Sequence, residues 1–257
     1  MKALDDIMNE ETKNTVQMPR KAAGDMAKEK NPPVTKFGEG LDFASQEAYN
    51  LLRANITFSF SEQEKGRIIG VTSACPSDGK TTTAINIAYS MAKSGKKVLL
   101  IDGDMRRPKI HRMLGRPLSP GLSNLLVTKP SGITHSGVMH ENLSILTAGD
   151  IPPNPSELLA SLKMKDILDF VSQHYDFIII DLPPVLAVSD ALSVSQYLDG
   201  IILVVRHKVT RRREINDAVR QLRFAKARIL GFVYNDCGHS EKGYYKKHGH
   251  YYKDYKN

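Results

Sequence analysis

Six short apolar runs recur along the chain, separated by amphipathic or polar stretches. They are Ile68-Ile69-Gly70-Val71, Val98-Leu99-Leu100-Ile101, Leu143-Ser144-Ile145-Leu146, Phe177-Ile178-Ile179-Ile180, Ile201-Ile202-Leu203-Val204-Val205 and Ile229-Leu230-Gly231-Phe232-Val233. Each has strand length, and the unbroken ones read as strands covered on both faces. Helical patterns lie between them. Ala84 to Ala92 predicts a helix, ended by Ser94-Gly95 in the usual C-terminal glycine manner. Asn154-Pro155-Ser156-Glu157 offers an N-cap, a proline at the first helical position and a glutamate at N3. The helix it opens carries Leu158, Leu159, Leu162 and Leu168 on one apolar face. Arg211-Arg212-Arg213 opens another, with Ile215, Val219 and Leu222 as its apolar positions. Strands alternating with helices predict an α/β fold with a doubly wound, mostly parallel sheet. Such sheets bind ligands beyond the C-terminal ends of their strands.

The chain divides into three parts on this reading. Residues 1–40 are polar, of mixed charge, and predict a flexible N-terminal arm. Residues 41–236 form the domain, with a leading helix within 41–60. Residues 237–257 are expected to be a disordered tail. No apolar run is long enough for a membrane span or a secretory signal. Cys75 and Cys237 make no disulfide framework and have no metal-ligand spacing, which points to a reducing, cytoplasmic setting.

The chemistry concentrates after the first run. Ala74-Cys75-Pro76-Ser77-Asp78-Gly79-Lys80-Thr81-Thr82 follows a strand and precedes a helix, the context of a phosphate-binding loop. Ala74 stands where the simplest pattern has glycine. In such a loop the N–H groups of Ser77, Asp78, Gly79, Lys80, Thr81 and Thr82 surround phosphate oxygens. Lys80 reaches the outer phosphates, and the Thr81 hydroxyl reaches Mg²⁺. Two acidic motifs end the second and fourth runs, Asp102-Gly103-Asp104-Met105-Arg106-Arg107-Pro108 and Asp181-Leu182-Pro183-Pro184. Mg²⁺ needs one or two carboxylates beside phosphates and water, which suits Asp181 and Asp104. Asp102 is the better candidate for accepting a substrate proton.

With those residues in place, the sequence resembles the bacterial tyrosine kinases of the capsular and exopolysaccharide type. The resemblance spans about residues 41–257. It rests on the phosphate loop, Asp102-x-Asp104-x-Arg106, Asp181 and a tyrosine-rich tail. It implies a P-loop NTPase of the deviant Walker ATPase type, using ATP and Mg²⁺ to phosphorylate protein tyrosine. No eukaryotic kinase signature is present. The resemblance further implies an adenine contact from Asn235, which as a turn residue needs no such role. Glu47 to Arg53 is similar to the family's assembly motif, with Asn50 where that motif has arginine, and this implies a homo-oligomer, of which a ring is one form, using Glu47 and Arg53. Other implied partners are a separate membrane adaptor that activates the kinase and draws it to the inner face of the membrane, a tyrosine phosphatase, and protein substrates.

The tail supports the resemblance independently. Tyr244, Tyr245, Tyr251, Tyr252 and Tyr255, five of the ten tyrosines, lie in its last 14 residues. They are the candidate phosphorylation sites, and each phosphate would add roughly −1.5 to −2 charges to a basic segment. The net charge of +8 calls for an anionic partner. Much of the excess lies between Arg206 and Arg228, where an acidic protein, a subunit, a lipid surface and simple solvent exposure all remain open. No nucleic-acid partner is expected, because a nucleic-acid module leaves Lys80, Asp102, Asp104 and Asp181 unexplained. The competing enzyme reading is a partition or division-site ATPase. Those carry an extra lysine early in the loop, which Ser73 to Asp78 lacks.

Overall fold

The computed structural model describes residues 37–60, 66–128 and 134–236. The arm before residue 37 and the whole tyrosine tail, with Tyr244, Tyr245, Tyr251, Tyr252 and Tyr255, lie outside the described residues. The last residues assigned to the arm belong to the domain. Gly38–Gly40 forms a short 3₁₀ turn, and the Gly38 N–H donates to Asn86 Oδ1 at 2.9 Å.

The expected sheet is present with seven strands: β1 (Arg67–Ser73), β2 (Val98–Asp102), β3 (Thr134–Ser136), β4 (Leu143–Leu146), β5 (Phe177–Asp181), β6 (Gly200–Arg206) and β7 (Ile229–Asn235). Their order is β3-β4-β2-β5-β1-β6-β7, all neighbours parallel except the β3–β4 pair. β2, β4 and β5 are buried along their whole length. Covering an isoleucine or leucine completely contributes about 1.5–3 kcal/mol, so these runs supply much of the driving force for the fold.

Helices cover both faces. On one lie α1 (Phe43–Phe58) and α2 (Lys80–Lys93), packed through Ile56, Ala84, Ile87 and Met91 onto Ile69, Val71 and Leu100. On the other lie α6 (Leu162–Ser172), α7 (Asp190–Val194) and α8 (Arg212–Phe224), which bury Met164, Leu168, Val194, Ala218 and Leu222 against Ile178, Ile180 and Leu203. Three one-turn or two-turn pieces, α3 (Ile110–Met113), α4 (Leu122–Val127) and α5 (Pro155–Ala160), close the strand ends.

Two local expectations change. The helix opening at Asn154 is two helices, because Ser161 ends α5 in an extended conformation and its hydroxyl then caps α6 at Met164 N. Leu162, expected on the apolar face, is consequently 76% exposed. Asn154 does not cap the backbone; its amide donates to Glu157 Oε2 at 2.6 Å. The α2 terminus meets expectation. Gly95 takes φ +86°, and its N–H and that of Lys96 return to Ala92 and Met91 carbonyls.

Candidate active site

β2, β5 and β1 are adjacent, and this brings the three motifs together. Asp102 and Asp181 are register partners at the ends of their strands, and Val71 of β1 pairs with the same Asp181. The loop that leaves β1 therefore begins beside both carboxylates.

The loop is braced from several sides. Its two turns need left-handed backbone, Ser77 at φ +68° and Gly79 at φ +98°. At Gly79 a Cβ would lie 2.0 Å from Asn235 Nδ2, so no larger residue fits without displacing that side chain. Asp78 is buried and spans the loop: its carboxylate accepts from Cys75 N at 3.1 Å and from Thr210 Oγ1 at 3.0 Å. Burial pushes its carboxyl above the ordinary range, opposed by those two donors. Asn235 donates to the Asp78 carbonyl at 2.9 Å, and Arg206 Nη1 to the Ser77 carbonyl at 3.3 Å. Asn235 thus sits at the phosphate loop through a contact that the sequence pattern does not carry. Val185 and Leu186, after β5, donate to the carbonyls of Ser73 and Ala74. Ser77 and Thr82 keep exposed or half-exposed positions on the loop and the first turn of α2.

Beneath the loop lies a buried charge cluster. Lys80 Nζ sits 2.9 Å from Asp104 Oδ2 and 3.2 Å from Asp181 Oδ1. Thr81 Oγ1 donates to Asp181 Oδ2 at 2.6 Å. Asp102 adds a third carboxylate, fully buried; its Oδ2 accepts from Lys109 N and Ile110 N, and its Oδ1 from Asp104 N at 3.3 Å. One ammonium cannot neutralise three carboxylates. Burial alone would lower the Lys80 pKa, but Asp181 and Asp104 hold it above the ordinary lysine range. Asp181 is pushed up by burial despite Lys80 and Thr81. Asp102 rises to about 7, through burial first and repulsion from Asp181 next, with the Ile110 N–H and Lys80 opposing.

A further network holds the loop that carries Asp104. Arg106 Nε and Nη2 bind Asp190 Oδ2 and Oδ1 at 2.9 and 3.0 Å, a two-pronged pair with a carboxylate that is fully buried. The Ser156 hydroxyl also donates to Asp190. Sequence reading missed Asp190, which belongs to no recognisable motif, and took Ser156 only as part of a helix start.

Glu47 and Arg53, the assembly candidates, lie on α1 and take no part in this cluster. Glu47 Oε1 accepts from Asn50 Nδ2 at 2.9 Å, and Asn50 Oδ1 receives the Ser90 hydroxyl. Arg53 Nε is buried without a hydrogen-bond partner.

Fold and cluster together define a nucleotide-binding P-loop protein, and the family model for the AAA domain matches residues 66–222. The chain is 39% identical over 207 residues to the tyrosine-protein kinase YwqD of Bacillus subtilis, covering 78% of this chain and 86% of that one. The solved kinase domain of the Escherichia coli tyrosine kinase ETK superposes with a TM-score of 0.73 at 33% identity, covering 82% of each chain. The septum site-determining protein MinD of Pyrococcus horikoshii, solved with Mg-ADP, is more distant, with a TM-score of 0.56 and 26% identity over 68% of this chain and 72% of that one. The chain belongs to the bacterial tyrosine-protein kinase family. The partition-type reading falls behind on this comparison. Among the described residues, no helix is long and apolar enough to cross a membrane.

Proposed function

We propose that this kinase transfers the γ-phosphoryl group of ATP to protein tyrosines, beginning with Tyr244, Tyr245, Tyr251, Tyr252 and Tyr255 of a neighbouring copy. The observation that carries the reading is the Lys80 ammonium held between Asp104 and Asp181 beside the Thr81 hydroxyl. These hard oxygen donors already converge on a cation, so the residues fit Mg²⁺, with Thr81, Asp104 and Asp181 as the groups that would hold it. When bound, Mg²⁺ would neutralise charge on the phosphate oxygens during transfer.

The protein's own part follows from the braced loop. N–H groups from Ser77 to Thr82 receive the phosphates at the start of α2, where the helix dipole favours an anion. Lys80 turns from the two carboxylates to the outer phosphate oxygens. The phenol oxygen forms a bond to the γ-phosphorus as the bond to the ADP oxygen breaks, and the phenolic proton passes to Asp102. Asp102 is placed for that role at the end of β2, as the register partner of Asp181 beside the loop. Asp102 is fully buried, so the segment from Gly103 to Pro108 must shift to admit a phenol. Asn235 is offered as the adenine contact, next to the loop it braces.

The same reading gives the enzyme a role in controlling capsular or exopolysaccharide synthesis, with a tyrosine phosphatase reversing the modification. A membrane adaptor would activate it and hold it at the cytoplasmic face of the membrane. Assembly of copies through Glu47 and Arg53 would bring one tail to the next active site. The test is incubation with Mg²⁺ and labelled ATP, with and without an adaptor segment, and mapping of the label by mass spectrometry. Phosphotyrosine between Tyr244 and Tyr255 that vanishes in Lys80→Met supports the reading. ATP turnover with unmodified tyrosines, even with the adaptor segment, overturns it. Mixing Lys80→Met with a tail-less active chain tests transfer between copies, which no label on the Lys80→Met tail would exclude.

A further inference from the structure

The outer face of α8 and the edge strand β7 combine features that the phosphoryl-transfer site does not use. Arg211, Arg212, Arg213, Arg220, Arg223 and Lys226 are all exposed or half-exposed, and the only acids among them are Glu214 and Asp217. Glu214 is turned inward to the helix start, where it accepts from Arg211 N at 2.7 Å. Asp217 is shared between Arg220 at 2.7 Å and Arg213 at 3.9 Å. Arg213 and Arg220 nevertheless keep 92% and 78% of their side chains in solvent. Helical spacing puts Arg213, Asp217, Arg220 and Phe224 in one stripe, and Phe224 is 92% exposed.

The aromatic character continues onto the sheet edge. Phe232 pairs in register with Leu203, which packs in the same core as Ala218 and Leu222 of α8. Parallel register partners point to the same side of a sheet, so Phe232 and, two residues on, Tyr234 emerge on the α8 side. Both are more than half exposed. The inner face of α8, through Ala218 and Leu222, is already committed to the core, so the helix presents its cations and Phe224 outward without having to leave the fold.

We infer that α8 and β7 form a direct docking surface for anionic phospholipid. Six long cationic side chains with one near-fully exposed phenylalanine among them, and two more exposed aromatics on the same side, match an interface of negative headgroups over hydrocarbon. A second copy that met this face with the same face would set positive charge against positive charge. A lipid surface is fluid and needs no shape match, only charge and an aromatic anchor. The inference is independent of tyrosine phosphorylation.

The chain contains no tryptophan, so Phe224→Trp gives a single fluorescent reporter at the proposed contact. The full chain would be mixed with phosphatidylglycerol vesicles and, separately, phosphatidylcholine vesicles. The expected result is a blue shift and quenching by brominated lipid with phosphatidylglycerol only, fading as salt rises through about 0.15 M. In the same chain, Arg213→Glu with Arg220→Glu and Arg223→Glu should weaken vesicle binding by more than about tenfold, since each cation near an anionic surface carries roughly fivefold. A Phe58→Trp reporter, on exposed α1, should stay unshifted. Vesicle binding with an unshifted Phe224→Trp reporter would assign the contact to another segment and overturn the inference. A shift that needs phosphorylated chain and no vesicle would give this face to the phosphotyrosine tail and overturn it equally.

Discussion

Replacing Asp102 by asparagine should flatten the pH dependence of stability in the nucleotide-free protein. The side chain has no solvent exposure, and its pKa rises from 3.8 to about 7. A carboxyl raised on folding binds more protons in the native state, so its contribution is complete below the unfolded value and is lost as pH climbs through about 7. A tenfold difference in proton affinity between the folded and unfolded chain is worth about 1.36 kcal/mol. The rise from 3.8 to about 7 amounts to about 4 kcal/mol in full, of which about 2–3 kcal/mol develops between about pH 8 and about pH 5, so the wild-type protein gains that much at the acidic end from this group alone. Asparagine keeps the shape and an oxygen for the Lys109 and Ile110 N–H groups, while removing the titration. Urea unfolding of both proteins across that range, without Mg²⁺ or nucleotide, reads the difference directly. Equal slopes for wild type and Asp102→Asn would refute the reasoning, because they would place the proton elsewhere in the cluster.

Three further outcomes follow from the same geometry. Lys80→Met leaves Asp104 and Asp181 buried without their counter-ion, and should cost about 3 kcal/mol near neutral pH, partly recovered on acidification, in the same urea measurement. Gly79→Ala drives a Cβ to 2.0 Å from Asn235 Nδ2 at φ +98°, so calorimetric titration should find ATP bound at least about tenfold more weakly with circular dichroism unchanged. Asp190→Asn weakens the two-pronged grip on Arg106 and should slow transfer roughly tenfold or more while leaving the nucleotide dissociation constant within about threefold; a matching loss in nucleotide affinity would show that Arg106 does not act through the position of Asp104.

How far the sequence could be read depended on how local the cause was. The phosphate loop was legible because an apolar strand, Gly79-Lys80-Thr81 and an apolar helix are contiguous, and the motifs ending in Asp102 and Asp181 are each one strand long. That they meet around Lys80 followed from the doubly wound topology. The position of Asp190 was illegible: its partner Arg106 is 84 residues away, and an Asp after Ser189 reads as any helix start. The break at Ser161 was hidden for another reason. Leu158, Leu159, Leu162 and Leu168 keep a helical period across it, while a single serine hydroxyl turned to Met164 N starts a new helix. β3 has only the polar residues Thr134, His135 and Ser136, and exists because β4 offers it an edge. Its strand state is set by the neighbour, which a local pattern cannot carry.

The Lys80 ammonium between Asp104 and Asp181 makes the resting site an ion exchanger. A divalent ion arriving alone would have to displace a like charge that both carboxylates hold. A triphosphate arriving alone would draw Lys80 away and leave two carboxylates facing its own negative charge. Each solute would therefore lower the obstacle to the other, so the lysine couples the two arrivals in the favourable direction. The side chain that would meet the phosphates is thus the one that stands between the carboxylates that would meet the metal.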